Sequence, residues 1–222
     1  MNSDLSDLLL TASGETFFML FFTAFFGLLL GLPLGVILTV TGKGHIMERY
    51  RENRAIGFIV NAVRSFPSII LIVVLLPLAR FLVGTTLGMT AALVPLSICS
   101  APFIARIIES ALKEVDRGKV EASLAMGATV FDSIVKVLIP EALPSLIRGA
   151  TIAVITILEL TAIAGAIGAG GLGSLAIRYG YQRFRDDVMF ATVAMLVILV
   201  QMIQFTGETI ARFISKRRHI YE

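Results

Sequence analysis

The residue of this chain best placed to do chemistry is an acid in the middle of an apolar run. Glu159 lies within Ile155-Thr-Ile-Leu-Glu-Leu-Thr-Ala-Ile163. A charged group at the centre of a membrane helix costs about 2.5 to 3.5 kcal/mol on insertion scales, so this carboxyl group must face protein or water rather than lipid. Helical spacing places Ile155, Glu159 and Ile163 on one face. That face is a candidate two-fold axis or translocation path, where the acid could hold a proton or a cation. The other reading is a structural hydrogen bond to Thr156, Thr161 or a neighbouring span.

Other chemistries find no support in the residues. Cys99 is the single cysteine, so neither an intrachain disulfide nor a cysteine-built metal cluster is possible, and a small buried apolar role fits it. His45 and His219 sit in basic flanks without a second ligand nearby, which argues against a metal site. No Ser-His-Asp or Cys-His arrangement suggests an enzyme. Gly168-Ala-Gly-Gly-Leu-Gly173 satisfies G-x-G-x-x-G, but a dinucleotide fingerprint needs a strand before it and a helix after it, and this run ends an apolar helix. Gly168 and Gly170 instead fit close packing or a bend beside a gate. No G-x-x-x-x-G-K-[ST] occurs, so the chain cannot itself hydrolyse ATP. No cofactor is expected in it, and energy for any pumping must come from a partner.

One stretch is too polar to cross a membrane although its neighbours must. Glu121-Ala-Ser-Leu-Ala-Met-Gly127 continues to Ile139-Pro140 and reads as two short helices, broken at Gly127 and stopped at Pro140. The first helix, about 115–126, offers small residues for close backbone approach and Leu124 and Met126 as apolar anchors. Periodicity leaves two readings open: a docking surface for a soluble partner, or an amphipathic helix resting on the bilayer.

The elements that must position these groups follow from composition. The chain has 222 residues, 56% of them hydrophobic, with a mean hydropathy of +0.87, well above the roughly 45 to 50% apolar content of soluble domains. One membrane domain, residues 1–222, is the economical reading. Five segments are long enough to span about 30 Å of hydrocarbon: residues 17–41, 56–79, 87–108, 146–169 and 188–210. The acidic start Met1-Asn-Ser-Asp-Leu-Ser-Asp7 is the wrong charge for a cleaved signal peptide, so the first run is read as a retained span. The net charge of +3 does not indicate nucleic acid, because the basic residues lie in short loops. Lys43, Arg49, Arg51, Arg54 and Arg64 follow the first span. Arg106, Lys113, Arg117, Lys119, Lys136 and Arg148 surround the elbow, and Arg212, Lys216, Arg217 and Arg218 close the chain. The opposite side receives Arg80, Arg178, Arg183 and Arg185. The imbalance puts the amino terminus outside, with the elbow (about 113–145) and carboxyl terminus in the cytoplasm. Five spans are too few to enclose a solute path, so a two-fold pair of copies is expected.

The elbow resembles the E-A-A loop of permease subunits of ATP-binding-cassette importers, with Glu121-Ala-Ser, Gly127 six positions on, and Ile139-Pro140 in the pattern. Arg64-Ser-Phe-Pro67, Ala101-Pro-Phe-Ile-Ala-Arg106, Pro140-Glu-Ala-Leu-Pro144, Gly165-Ala-Ile-Gly-Ala-Gly-Gly-Leu-Gly173 and Arg178-Tyr-Gly-Tyr181 are together similar to the methionine importer permeases, over about residues 56–215. The resemblance implies an all-α membrane protein of the type I importer fold, with five spans and a cytoplasmic coupling helix between spans three and four. It implies a homodimer in the bacterial inner membrane, an ATPase dimer holding ATP and magnesium, and an extracytoplasmic binding protein or lipoprotein that delivers an amino acid, most simply methionine. Glu121, Ala122, Leu124, Met126 and Gly127 would form the knob that docks on the ATPase. Ile155, Glu159, Ile163, Gly168 and Gly170 would line the path or its gate. Glu159 departs from the small or uncharged residues of that family, which leaves room for another amino acid or for a proton- or cation-coupled transporter.

Overall fold

In the computed structural model, which describes residues 2–219 and side chains from residue 5 to 216, every regular element is a helix. Arg217, Arg218 and His219, named above for charge and ligand chemistry, have side chains outside that range.

Helix α1 (Asn2–Val40) is 39 residues long, about 58 Å at 1.5 Å per residue, so it begins well before the run expected from residue 17. Where its Gly27, Gly31 and Gly35 repeat every four residues, α1 lies flat on α5 (Met89–Lys113). A Cβ on Gly31 would sit 2.8 Å from the Ala101 carbonyl oxygen, and one on Gly35 would sit 2.7 Å from that of Ala105. Lipid supplies no hydrophobic drive between helices, so such close backbone contact is what dispersion and packing require. The resulting α1–α5 interface is the largest helix pair in the chain.

The second apolar run is broken at its prolines, which lack the N–H of a continuous helical ladder. It forms α2 (Tyr50–Ser65), α3 (Ser68–Val74) and α4 (Leu76–Val83). The bend between α2 and α3 is 100°. Pro67 removes a donor and drives Phe66 to extended backbone (φ −75°, ψ 136°), as a residue before proline prefers. Among the described residues, four helices are therefore long and apolar enough to cross a membrane, or five if the bent pair is one span.

After α5 comes the elbow helix α6 (Arg117–Ala125), then α7 (Val130–Asp132), a π-helical segment (Ser133–Leu138) and α8 (Ile139–Ala164). Here the expected stop at Pro140 is overturned. Pro140 lies where the π-helical segment passes into α8, inside an unbroken helical run, and its missing N–H leaves one ladder bond unmade without stopping the helix. The wide turns just before it give its ring room, and π turns are a usual way of accommodating such an insertion. The helical rod from residue 130 to 164 is continuous, so the fourth run starts at the elbow rather than at residue 146.

A second π-helical segment (Gly165–Ala169) ends that rod, and the chain reverses through Gly168 and Gly170 at φ of 104° and 93°. It then re-enters as α9 (Gly171–Leu175) with a π-helical extension (Ala176–Tyr181) before α10 (Asp186–His219). The reversal is tight: a Cβ on Gly173 would run into the Ala162 carbonyl oxygen. Glu15 of α1 closes the turn by accepting from the Gly171 N–H at 2.6 Å, beside Thr16, which accepts from the Leu172 N–H at 2.9 Å.

These contacts make Gly31→Val a test of the α1–α5 seam. The added methyls must push α1 off the Ala101 carbonyl, at a cost of about 1 to 3 kcal/mol. Thermal unfolding of the detergent-purified protein should shift down clearly, whereas Gly14→Ala, which meets nothing within 4 Å, should leave it near wild type.

Candidate functional site

The elbow is assembled from local rules. Asp116 caps α6 by accepting from the Gly118 N–H at 2.8 Å. Thr129 caps α7 by accepting from the Asp132 N–H at 3.1 Å, while its hydroxyl donates back to the Asp132 carboxylate at 2.5 Å. This Thr-x-x-Asp arrangement is a form of capping box. The hydrogen bond from Lys136, then that from Thr129, holds the Asp132 carboxyl below its ordinary value. Between the caps, Gly127 takes φ of 87°, the left-handed geometry that ends a helix and that a side chain resists.

Inside the elbow, Ser123 and Ser133 are both buried, with their hydroxyls 2.9 Å apart. Ser123 also bonds the Val120 carbonyl at 2.7 Å. The serine at the third position of Glu-Ala-Ser is thus not a neutral stand-in for alanine; it fastens α6 to the base of the α8 rod. Lys119 and Glu141 add an exposed bridge of 2.9 Å between the same two parts. At the base, His45 from the loop after α1 is held below its ordinary pKa by burial and by the nearby Arg117 and Lys113 charges. Its neighbours are cations rather than metal ligands.

The outer tip gathers the residues expected to form a knob. Glu121, Ala122, Met126 and Gly127 are exposed, with Met126 83% so, while Leu124 is half-buried. Glu121 has no ion-pair partner among the described residues. Phe131, 72% exposed in α7, shares the elbow and was missed by the sequence reading. Its signal was a large aromatic in an otherwise polar turn.

The second candidate set divides. On α8, Arg148, Ile152, Ile155, Glu159 and Ile163 recur at helical spacing as one stripe. Glu159 is exposed, while Ile155 and Ile163 are half-buried. The alternative reading, a hydrogen bond from Glu159 to Thr156 or Thr161, is not seen among the described residues; Thr161 bonds the Leu158 carbonyl instead. A crevice of about 340 Å³ lies against the lower stripe, lined by Arg148, Thr151, Ile152, Ile155, Gln204 and Glu208. Gly168 and Gly170 belong elsewhere. The Gly168 carbonyl accepts from the Gly88 N–H at 3.0 Å, and Gly170 lies against the Glu15 carboxylate, so both serve the chain reversal.

A buried ionic cluster also escaped the sequence reading. Glu109, 5% exposed, takes Arg106 at 2.5 Å and Lys113 at 2.6 Å. Arg106 in turn donates to the Gly57 carbonyl at 3.1 Å and to Asn61 at 2.9 Å, tying α2 to α5. The signal was an Arg-x-x-Glu-x-x-x-Lys spacing on one helix face.

If the serine pair locks the elbow, Ser123→Ala leaves the Ser133 hydroxyl buried without a partner, at about 1 to 3 kcal/mol. Amide hydrogen exchange across residues 117–140 should rise in the single variant. The Ser123→Ala/Ser133→Ala double variant should recover part of the protection.

Residues 27–220 match the family model described as binding-protein-dependent transport system inner membrane component. The chain is 51% identical to the methionine import system permease protein MetP of Bacillus subtilis, covering 97% of each. It is 48% identical to a probable D-methionine transport system permease protein MetI of Vibrio cholerae, over 96% of this chain and 94% of that protein. Its fold superposes with a TM-score of 0.94 at 47% identity on a chain of the methionine ABC transporter MetNI in an inward-facing conformation, covering 96% of this chain and 99% of that one. An amino acid ABC transporter solved with histidines shares the fold at a TM-score of 0.72 and 19% identity, over 97% of this chain and 96% of that one. This chain belongs to the family of binding-protein-dependent transport system inner membrane components.

Proposed function

We propose that this chain is the membrane-spanning permease subunit of an ATP-driven methionine importer, working as two identical copies. It spans the membrane five times, with the bent α2–α3 pair as one crossing. The amino terminus is outside, and the elbow and carboxyl terminus are in the cytoplasm, a topology that the placement of Lys and Arg supports. The observation that carries the reading is the likeness, along nearly the whole chain, to methionine transport permeases and to an inward-facing methionine transporter. The exposed elbow tip supports the same conclusion, because Met126 and Phe131 have the exposed apolar character of interface anchors.

In this reading the tip seats in an ATPase that binds ATP and magnesium, with Glu121 facing a basic group there. Closure of the ATPase pair moves α6. The Ser123–Ser133 contact and the Lys119–Glu141 bridge pass that movement to the base of α8. The rod from residue 130 to 164 then tilts as a body and moves its Glu159 stripe relative to the second copy. ATP-bound and ATP-free docking thereby favour two arrangements of the spans, which is all that alternating access requires. An extracytoplasmic binding protein supplies the amino acid at the other face. The chain makes and breaks no covalent bond.

Met126→Asp, Glu121→Lys and Gly127→Val each alter the tip and leave the spans intact. Each should lower methionine uptake about tenfold or more, the loss expected when a central interface anchor is removed, and should weaken co-purification with the ATPase. The amount of membrane-inserted permease should stay unchanged. Wild-type uptake and co-purification in Met126→Asp would overturn the docking role. Uptake that survives ATP depletion and collapses with the proton gradient would replace the ATP-driven reading by a gradient-driven one.

A further inference from the structure

Four glutamates lie beyond the first two turns of the long helices, and three of them have partners within the chain. Glu15 accepts from the Gly171 N–H, Glu109 is clasped by Arg106 and Lys113, and Glu208 pairs with Arg212 at 2.9 Å. Glu159 is the exception: it is exposed and has no hydrogen-bond or ion-pair partner among the described residues. It also sits 20 residues into α8, about 30 Å along the rod from its start, far from the polar elbow.

A crevice opens one turn below it. The stripe below Glu159 runs through Ile155 and Ile152 to Arg148, and the crevice against it adds Thr151, Gln204 and Glu208. Beyond the two isoleucines, the polar groups Arg148, Thr151, Gln204 and Glu208 line the crevice. A second copy related by two-fold symmetry would set its own stripe opposite, so the complete site needs both copies.

We infer that the paired Glu159 carboxylates form a cation subsite within the path, which takes the ammonium group of the amino acid in transit. This rests on the transporter reading above and adds to it the part of the substrate that is recognised inside the membrane. An unpaired carboxylate in a low-dielectric wall attracts a positive group strongly and repels a negative one. The subsite therefore accepts zwitterionic and cationic amino acids and disfavours molecules whose amine is blocked.

The test uses the permease assembled with its ATPase in proteoliposomes, with Cys99→Ala and a reporter Ile155→Cys one turn below Glu159. Labelling rates are measured with a cationic trimethylammonium-ethyl and an anionic sulfonato-ethyl methanethiosulfonate. The cationic reagent should react about tenfold faster relative to the anionic one than each does with a free thiol, a preference of the size a nearby charge produces. Glu159→Gln should abolish that preference, and Glu159→Asp should retain most of it. Methionine methyl ester, which keeps the ammonium and lacks the carboxylate, should slow labelling. N-acetylmethionine, with its amine blocked, should not, and Glu159→Gln should remove the difference. Labelling without charge preference, or with a preference that survives Glu159→Gln, overturns the cation subsite and leaves the transporter reading standing. An Ile155→Cys reporter thiol that reacts with neither reagent shows that the stripe faces no water, which sinks the path itself.

Discussion

The close approach of α1 to α5 is the constraint from which the rest of the arrangement follows. Between two helices in lipid, leucine against leucine gains nothing over leucine against an acyl chain, so association needs contacts that lipid cannot imitate. Gly31 and Gly35 provide them by bringing backbone against the Ala101 and Ala105 carbonyls. With α5 fixed, its other faces become a frame. Arg106 and Glu109 hold α2 through Gly57 and Asn61. Gly149 of α8 fits against Ile107 of α5, and Gly207 of α10 fits against Thr151 of α8. Small residues and an ion pair thus set how closely α1, α2, α8 and α10 approach their neighbours, around an apolar cluster that includes Ile104, Leu112, Ile157, Leu172 and Val188.

That frame gives the elbow mechanical meaning. A loose polar loop between α5 and α8 could bind a partner but could not pass a displacement inward, because its own bending would absorb it. Here both helix starts are capped, by Asp116 and by Thr129. The two parts are joined inside by Ser123 and Ser133, and the far arm is itself the beginning of a membrane-crossing rod. Pro140 is decisive in this. Had it stopped the helix, a hinge would separate the elbow from the stripe that carries Glu159.

Much of this was legible in the sequence, and what escaped has identifiable causes. Long apolar runs announce helices because the bilayer leaves the backbone no other way to satisfy its hydrogen bonds. The elbow was visible because Gly127 and the polar residues around it contradict that solvent. Pro140 misled, since a proline has the same local signature whether it ends a helix or is carried within one, and only the π turns before it decide. Pro67 announces a break in the helix, but the apolar run continues across it, and hydropathy says nothing of the size of the bend, which is 100°. The partners of Glu15 and Arg106 lie 156 and 49 residues away, beyond any periodicity argument. Phe131 stood out in the sequence by type alone, and its exposure is a tertiary fact.

The embedded acids show how the membrane converts burial into information. In water a lone glutamate on a helix says little, because solvent satisfies it at no cost. In an apolar chain each one must be accounted for, and a carboxylate at mid-span costs about 2.5 to 3.5 kcal/mol when nothing compensates it. Glu15 is compensated by a helix start, where backbone N–H groups point outward without acceptors, and so contributes to the fold at the chain reversal. Glu109 is compensated by two cations and contributes at the junction of α2 and α5. Glu159 has neither kind of compensation within one copy, yet α8 is a firmly anchored rod, gripped by α1, α5 and α10. An acid that does nothing for the stability of so well held a helix must be compensated by what reaches that face, and the proposed cation subsite supplies this with a second copy, water and the positively charged end of the solute.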